Sequence, residues 1–586
     1  MNNDLKLLEK LKAQVAESIY FTKSSKANAK KITAYIKGDQ LPDDVKALLD
    51  EREQPYMWEN ILKKIDSKIA GLKISSKQSI QAFGRQREDG LQANLFTNIL
   101  RTTQDSTQWW ANKKRADYDL RSSAISIVEV VVKNTGETDS LGQKQKEIRY
   151  LHIPTVQAHT DPFAINPDYS DMRYFHRERM LDIEDLYKYF SKDKVDKLQS
   201  FTKDTSDDYT NQTQSQYSKR AKIYYSWYKE YCTKSKRDII KYAIWSENTI
   251  LEANNSPYFL TRFPISIRRM DEIDYDNPSD TRGMYYDLIP IQDRINNCHL
   301  RAIHMMGTNK LLFETSAVDD AETFIEQYSL DSAVVEVNDN ALSTGKIQDI
   351  KQFNEIVQLK NEVMDLRRQA EEIIGLNSEV LGSAVNRMSG SAIENRQNAG
   401  LVGLQQFIDT SAEQDKDLAE IALSLIQQYF KAEQIYRIAE KDEADGYFVA
   451  NEIQRDANGI VKQNGKPKLK NSLSIGRYDI ILRQMPHNRG SIADRQRVWG
   501  EMMKTMQVSH PHLLPQMVEL SLEDTQSPVA NKMRAIIEQD KQAQASNGQQ
   551  QQQIQMKKME LEMQKIEALI NEINSKALLN NSKVSH

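Results

Sequence analysis

The sequence predicts an α+β protein in which helix predominates, and three observations carry that expectation. Apolar residues recur at helical spacing in long stretches near both ends and in the middle of the chain. Strand-like runs cluster between residues 124 and 253 and return after residue 446. Only 39% of the 586 residues are hydrophobic, against 28% charged, and the mean hydropathy is −0.67. That is lean for a compact chain, for which roughly 45–50% apolar content is usual. The subunit therefore exposes long two-faced helices or shares its core with copies of itself. The 25 Tyr, 15 Phe and 6 Trp exclude disorder throughout, and the length suggests about four structural units.

From the N-terminus, roughly the first 80 residues read as helices. Trp58, Ile61, Leu62, Ile65 and Ile69 share one face, which stops at Gly71. A second helical stretch, from Glu88 to Ala116, carries Leu91, Leu95, Ile99 and the pair Trp109 and Trp110, one of which is expected in the core rather than on a base-stacking platform. AISIVEVVV and EIRYLHI then flank a Gly- and Thr-containing turn, a long-looped hairpin. Residues 203–220 are polar and of low complexity, a loop. KIYYSWYKEYC and RDIIKYAIWSE form the next strand pair, which ENTILEA extends.

From Tyr285 the pattern changes. Leu288, Ile291, Ile295, Cys298, Ala302 and Met305 alternate steps of three and four, the 3.5-residue period of a narrow helical seam. Ile356, Leu359, Val363, Leu366, Ala370 and Ile373 repeat the arithmetic. Each seam spans roughly 27 Å at 1.5 Å per residue. Between them lies a small insertion, Gly307 to Lys351, with strand-like KLLFET and AVVEVN around one short helix. After Gly375 comes an aperiodic stretch offering Asn377, Ser378, Ser383 and Asn386 as neutral hydrogen-bonding groups, with Arg387 as its cation. Ser391 and Glu394 form a capping box that opens a helix running to Phe430, about 60 Å, with bends expected at Gly400 and Gly403. GYFVANEIQ, an Asn464-Gly465 turn and RYDIILRQ read as strands, and Ile492 to Met506 as helix. QASNGQQQQQ is a linker before a last helix with Met559, Met563, Ile566, Ile570 and Ile573 on one face.

Signatures of chemistry are scarce. There is no G-x-x-x-x-G-K-[ST], no G-x-G-x-x-G and no H-E-x-x-H. His299 and His304, five apart on a helix, and His510 with His512 read as solvent or interface histidines. The acidic run Asp271, Glu272, Asp274, Asp276 and Asp280 has Pro278 where an EF-hand needs a ligand, and reads as a solvated loop. Cys298, on the apolar seam, reads as a small core residue. Cys232 and Cys298 are the only cysteines, which excludes a disulfide framework and multi-thiolate zinc sites. A net charge of −4 excludes a global phosphate-gripping field. With neither an apolar signal segment nor an 18-residue apolar run, the chain is expected to be neither secreted nor membrane-spanning. No cofactor and no enzymatic activity are expected.

The order of helix, small insertion, helix, irregular loop and very long capped helix resembles the portal (head-to-tail connector) proteins of tailed bacteriophages, closest to those of short-tailed phages. IPTVQAHTDPFAINPDYSDMRYFHRERMLDIEDL, with Asp161, Asp168 and Asp171, resembles the wing. FPISI before RGMYYDLIPIQDRINN resembles the approach to the first stem helix, and IIGLNSEVLGS with SGSAIENRQNAG the tunnel loop and the start of the long wing helix. The resemblance covers residues 50–500 and fades at both ends.

It implies an N-terminal and wing region (1–283), a first stem helix (284–306), a clip (307–351), a second stem helix (352–375), a tunnel loop (376–390), a long wing helix and wing strands (391–490), crown helices (491–540) and a C-terminal linker and helix, a barrel or a disordered tail (541–586). It further implies a ring, usually of twelve copies, at one capsid vertex, with the stem seams serving oligomerisation. Double-stranded DNA passes through the channel of such rings. Their partners are the terminase large subunit, the head-tail adaptor, and the major capsid and scaffold proteins, met after assembly in the host cytoplasm, with no membrane involved. Two other classes would share some features: a coiled-coil scaffold or tail structural protein, which should lack the insertion, and a nucleic-acid enzyme, which needs a metal cluster or phosphate loop.

Overall fold

A computed structural model describes residues 2–51, 59–75, 78–84, 90–139, 141–198, 219–233, 236–270, 277–307, 310–328, 335–350, 353–375, 402–437, 447–456, 459–460, 462–463, 466–467, 469–473, 478–484, 499–504, 517 and 521. The chain divides into two units, Met1–Met485 and Pro486–His586. In the second, residues 499–504 are helical, and the C-terminal seam from Met559 to Ile573 lies outside the described residues. Helix and strand are mixed throughout the first unit, with helix in excess.

The body is built on two antiparallel sheets. In the three-stranded sheet, β2 (Ile125–Thr138) is central between β3 (Lys144–His152) and β9 (Ile265–Arg269). The five-stranded sheet is a meander of β4 (Ala158–Thr160), β5 (Tyr174–Asp182), β6 (Arg220–Cys232), β7 (Arg237–Ser246) and β8 (Thr249–Asn255). AISIVEVVV is nearly unbroken in its apolar character because β2 is covered on both faces. Val128 and Val130 face a core with Phe96, Trp109, Tyr150 and Leu425, whereas Ile125 and Ile127 face one with Ile153, Phe175 and Ile267. Helix α1 (Asn2–Lys37) lies on the larger sheet through Leu8, Leu11 and Val15, which meet Tyr174, Tyr224, Tyr228 and Trp245.

Helix α2 (Asp43–Glu51) follows, then α3 (Ile61–Ser75), which runs through Gly71 rather than stopping there. A Cβ at Gly71 would meet nothing within 4 Å, so the glycine is simply a solvated helical position. The expected single helix from Glu88 to Ala116 is two, α4 (Gly90–Ser106) and α5 (Trp109–Ser123), broken where Gln108 takes a left-handed conformation at φ 55°. The break turns Trp109 into the core at 1% exposure and leaves Trp110 outside at 39%.

Residues 78–84, at the end of the stretch expected to be helical, form strand β1 (Gln78–Gly84) instead. It pairs antiparallel with a strand at the far end of the unit, Tyr478–Gln484, so that Ile80 faces Leu482. This ladder packs on α4 through Ile80, Ala82, Phe96 and Tyr478.

Candidate functional site

The candidate site is the pair of helices carrying the two seams, with the insertion they enclose. Between α5 and the first of them come two short helices, α6 (Ile183–Leu186) and α7 (Lys192–Val195). Helix α8 (Ile289–Gly307) and helix α10 (Phe353–Ile374) lie against each other, and α9 (Ala321–Tyr328) lies in the insertion between them. Leu288, Ile295, Cys298, Val363, Ala370 and Ile374 are buried, and Ile291, Leu359 and Leu366 pack partly buried against the same core. Ile356 is buried as well. Ile373 is not: it is 53% exposed, and Ile374 takes its place. The seam of α10 thus steps three, four, three, four and four, which averages the 3.6 residues of a straight helical turn rather than the 3.5 of a supercoil.

The seams are filled from within the chain. Ile32, Tyr35 and Ile36 of α1, Ile61, Leu62, Ile65 and Ile69 of α3, and Phe407 close the same core.

A second face of α8 is polar and equally buried. Gln292 donates to Asn296 Oδ1 and to the Glu59 carbonyl, both at 3.0 Å, and accepts from the Ile61 amide at 2.8 Å. Asn296 donates to Gln40 at 2.9 Å, and Gln40 donates to the Tyr35 carbonyl at 3.1 Å. Each polar group in this ladder has its partner, which is what makes its burial tolerable. Helix α10 is tied to the same side by Arg367 to Glu59 at 2.7 Å and Lys68 to Glu371 at 3.1 Å.

At the foot of α8, the Arg121 guanidinium donates to Asp66 at 2.8 Å and to the Tyr285 hydroxyl at 3.1 Å, and lies over the Phe407 ring. Burial pushes the Tyr285 phenol well above its ordinary range. Gly283 passes so close to α5 that a Cβ would stand 2.1 Å from the Ser122 carbonyl oxygen. At the other end, Gly375 (φ 75°) touches Gly403: a Cβ on Gly375 would stand 2.7 Å from the Gly403 Cα. No helical periodicity marks Gln292, Asn296, Arg121 or these glycines. The stretch RGMYYDLIPIQDRINN contains Gly283, Gln292 and Asn296 without showing what they touch.

In the insertion, β10 (Lys310–Phe313) pairs with β11 (Ile347–Ile350). The expected strand AVVEVN is not one over its described residues 335–338. Chain closest to the two helices pairs instead, which closes the insertion at its neck. Ala317, Val318, Phe324 and Ala341 are buried within it, and the rings of Phe313 and Phe324 meet at 5.3 Å.

Asn377, Ser378, Ser383, Asn386, Arg387, Ser391 and Glu394 lie outside the described residues. The long helix is described only from a 3-10 turn at Val402–Leu404 onward, as α11 (Gln405–Tyr429). Gly400, one of the two expected bends, lies outside the described residues, and Gly403 sits in the 3-10 turn that precedes the helix. In the segment around β4 and β5, Asp161 receives both Nε and Nη2 of Arg173, at 2.7 and 2.8 Å, and Asp171 receives the Ile165 amide at 2.7 Å. Among the described residues no cluster of three or more His, Cys, Asp or Glu could hold a metal ion, and no helix is long and apolar enough to cross a membrane.

The mixed helix-and-strand fold, with a helical hairpin that encloses a small strand-bearing insertion, is consistent with a phage portal subunit. A family model described as Phage P22-like portal protein matches residues 12–577, and the chain belongs to that family. The portal protein of Helicobacter pylori bacteriophage KHP30 is 29% identical over 542 residues, covering 91% of this chain and 84% of that protein. The chain is accordingly a structural phage protein of the virion, not an enzyme, and works as part of an oligomeric ring associated with the capsid.

Proposed function

We propose that twelve copies form a ring at one capsid vertex and enclose a passive channel through which double-stranded DNA is packaged and later ejected. The match of the portal family over residues 12–577 carries this reading. In it, residues 1–283 are the N-terminal and wing region, α8 and α10 the stem, 307–351 the clip, 376–390 the tunnel loop, 391–490 the long wing helix and wing strands, and 491–540 the crown. The C-terminal helix projects along the ring axis. The clip receives the terminase large subunit during filling and the head-tail adaptor afterwards, while the major capsid and scaffold proteins surround the ring in the host cytoplasm. A net charge of −4 suits a channel through which a polyanion slides.

Negative-stain microscopy of the purified chain tests the ring: closed rings with a central hole support it, and filaments or monomers overturn it. Deleting Ser316 to Ser329 should leave assembled heads empty of DNA. Arg387 is proposed to brake DNA by salt-sensitive phosphate contact, each such contact contributing about one unit to the slope of log affinity against log salt. Arg387→Ala heads should leak packaged DNA faster across a salt series; leakage identical to wild type at every salt would remove that role.

A further inference from the structure

Helix α1 is moored at two places. Leu8, Leu11 and Val15 lie on the larger sheet, whereas Ile32, Tyr35 and Ile36 close the core around α8 and α10. The second mooring is reinforced by hydrogen bonds: the Tyr35 hydroxyl donates to Asp293 at 2.7 Å, and Ser25 donates to the Ser279 carbonyl at 2.6 Å. Between the two, α1 covers a polar patch of the sheet in which His159 of β4 and His176 of β5 are buried opposite each other in register. His159 donates from Nε2 to Glu178 at 3.2 Å, so its Nδ1 lone pair faces the Lys26 ammonium of α1 at 3.4 Å. Lys26 also donates to the Ala158 carbonyl at 2.7 Å, and Lys222 pairs with Glu178 at 3.3 Å. A proton on Nδ1 would end the Lys26 bond and set two cations 3.4 Å apart out of water.

His176 is no better placed to take up a proton. The Ser226 hydroxyl accepts from Trp245 Nε1 at 2.7 Å and donates to His176 Nδ1 at 2.7 Å. That leaves the Nε2 proton of His176 buried with no acceptor among the described residues, and on α1 Gln14 Oε1 and Ser18 Oγ are buried without partners as well. Water would satisfy all three if α1 lifted, so closure here is held against a cost. The other charged or titratable groups at this interface are Glu17 of α1, bonded to the Tyr174 hydroxyl at 2.7 Å, and Tyr224 of β6. Lys30 lies near Lys26, Glu247 near Tyr224, and Arg173 over Tyr174. Only Glu178 compensates a charge on either ring; burial outweighs it, and both imidazoles are held well below their ordinary range.

We propose that residues 2–22 of α1 are an acid-released arm: proton uptake by His159 and His176 lifts them off the larger sheet while residues 28–37 stay docked. The lifted form takes up these protons near pH 6.5, the closed form only far below it. Closure is therefore complete above pH 6.5 and weakens as the pH falls from there.

The test is amide exchange of the full chain, read by mass spectrometry and corrected for the intrinsic rate at each pH, which gives an opening constant for each peptide. Between pH 6.5 and 4.5 that of residues 2–22 should rise on the order of a hundredfold for each histidine, while peptides 28–37 and 125–132 keep their protection. His159→Gln can still donate to Glu178 and accept from Lys26 but takes up no proton. It should remove about one power of ten per pH unit from the rise, and His176→Gln should do the same. Unchanged protection of 2–22, a rise that both variants leave as it is, or loss of 28–37 in step with 2–22 would each overturn the proposal. Should a variant fail to fold, the wild-type slope decides: one or more protons taken up per opening supports the arm, and fewer than one overturns it.

Discussion

A Cβ on Gly283 would stand 2.1 Å from the Ser122 carbonyl oxygen, far inside any contact distance. Gly283→Ala must therefore push the approach to α8 away from α5 and disturb Arg121, Asp66 and Tyr285. It should cost about 2–4 kcal/mol, read as a lower urea midpoint with unchanged slope. Nothing local in RGMYYD announces this, because the reason for the glycine is a backbone brought near by the fold. The Trp109 and Trp110 pair is the contrary case, where both candidates were visible in the sequence and the left-handed Gln108 decided which one is buried. A second prediction concerns His159 and His176, buried between α1 and the larger sheet. Burial holds His159 down to about 4, its bond to Glu178 only partly opposing this, and His176 down to about 3. The unfolded chain takes up these protons near pH 6.5, so the stability present above 6.5 is lost as the pH falls through 6.5 toward 4 and then 3. At about 1.4 kcal/mol per pH unit per group, urea melts at pH 7 and pH 4.5 should differ by several kcal/mol, and His159→Gln should flatten the slope.

At the scale of the element, the seam register makes a sharp contrast. Ile374→Asp places a charge in the core shared by α8 and α10 and should destabilise the chain by more than about 4 kcal/mol. Ile373→Asp, one residue earlier on the exposed side, should change the isolated chain by less than about 0.5 kcal/mol. Thermal melts of the two variants decide the register, and equal losses would return the seam to Ile373. The helices themselves were legible because alternate steps of three and four can be read over several turns. Their far ends were not, since periods of 3.5 and 3.6 diverge only after that many turns. Nor was the partner of each seam legible, because an apolar stripe does not say whether its cover comes from the same chain. Strand β1 was missed for a related reason: QSIQAFG becomes a strand through a partner that no local window contains.

At the scale of the whole molecule, helix α11 joins two cores, with Phe407 in that of α8 and α10 and Leu418, Ile421, Leu425 and Ile426 in that of the sheets. Buried Lys113 fixes α5 to it, bonded to the Ser411 carbonyl and Gln414 at 3.1 Å and paired with Asp415 at 2.8 Å and Asp117 at 3.4 Å. Lys113→Met should keep the fold but lower its melting temperature, since the two carboxylates would be left without their cation; an unchanged melt would show that the lysine is dispensable. The ladder between β1 and Tyr478–Gln484 has a consequence in time. Ribosomes add roughly 5–20 residues per second, so β1 emerges on the order of tens of seconds before its mate exists. Until then the sheet that backs α4 stays open, and a nascent or prematurely terminated chain cannot present a finished subunit. A chain that stops before Tyr478 therefore keeps β1 as an open edge, with its amides and carbonyls unpaired.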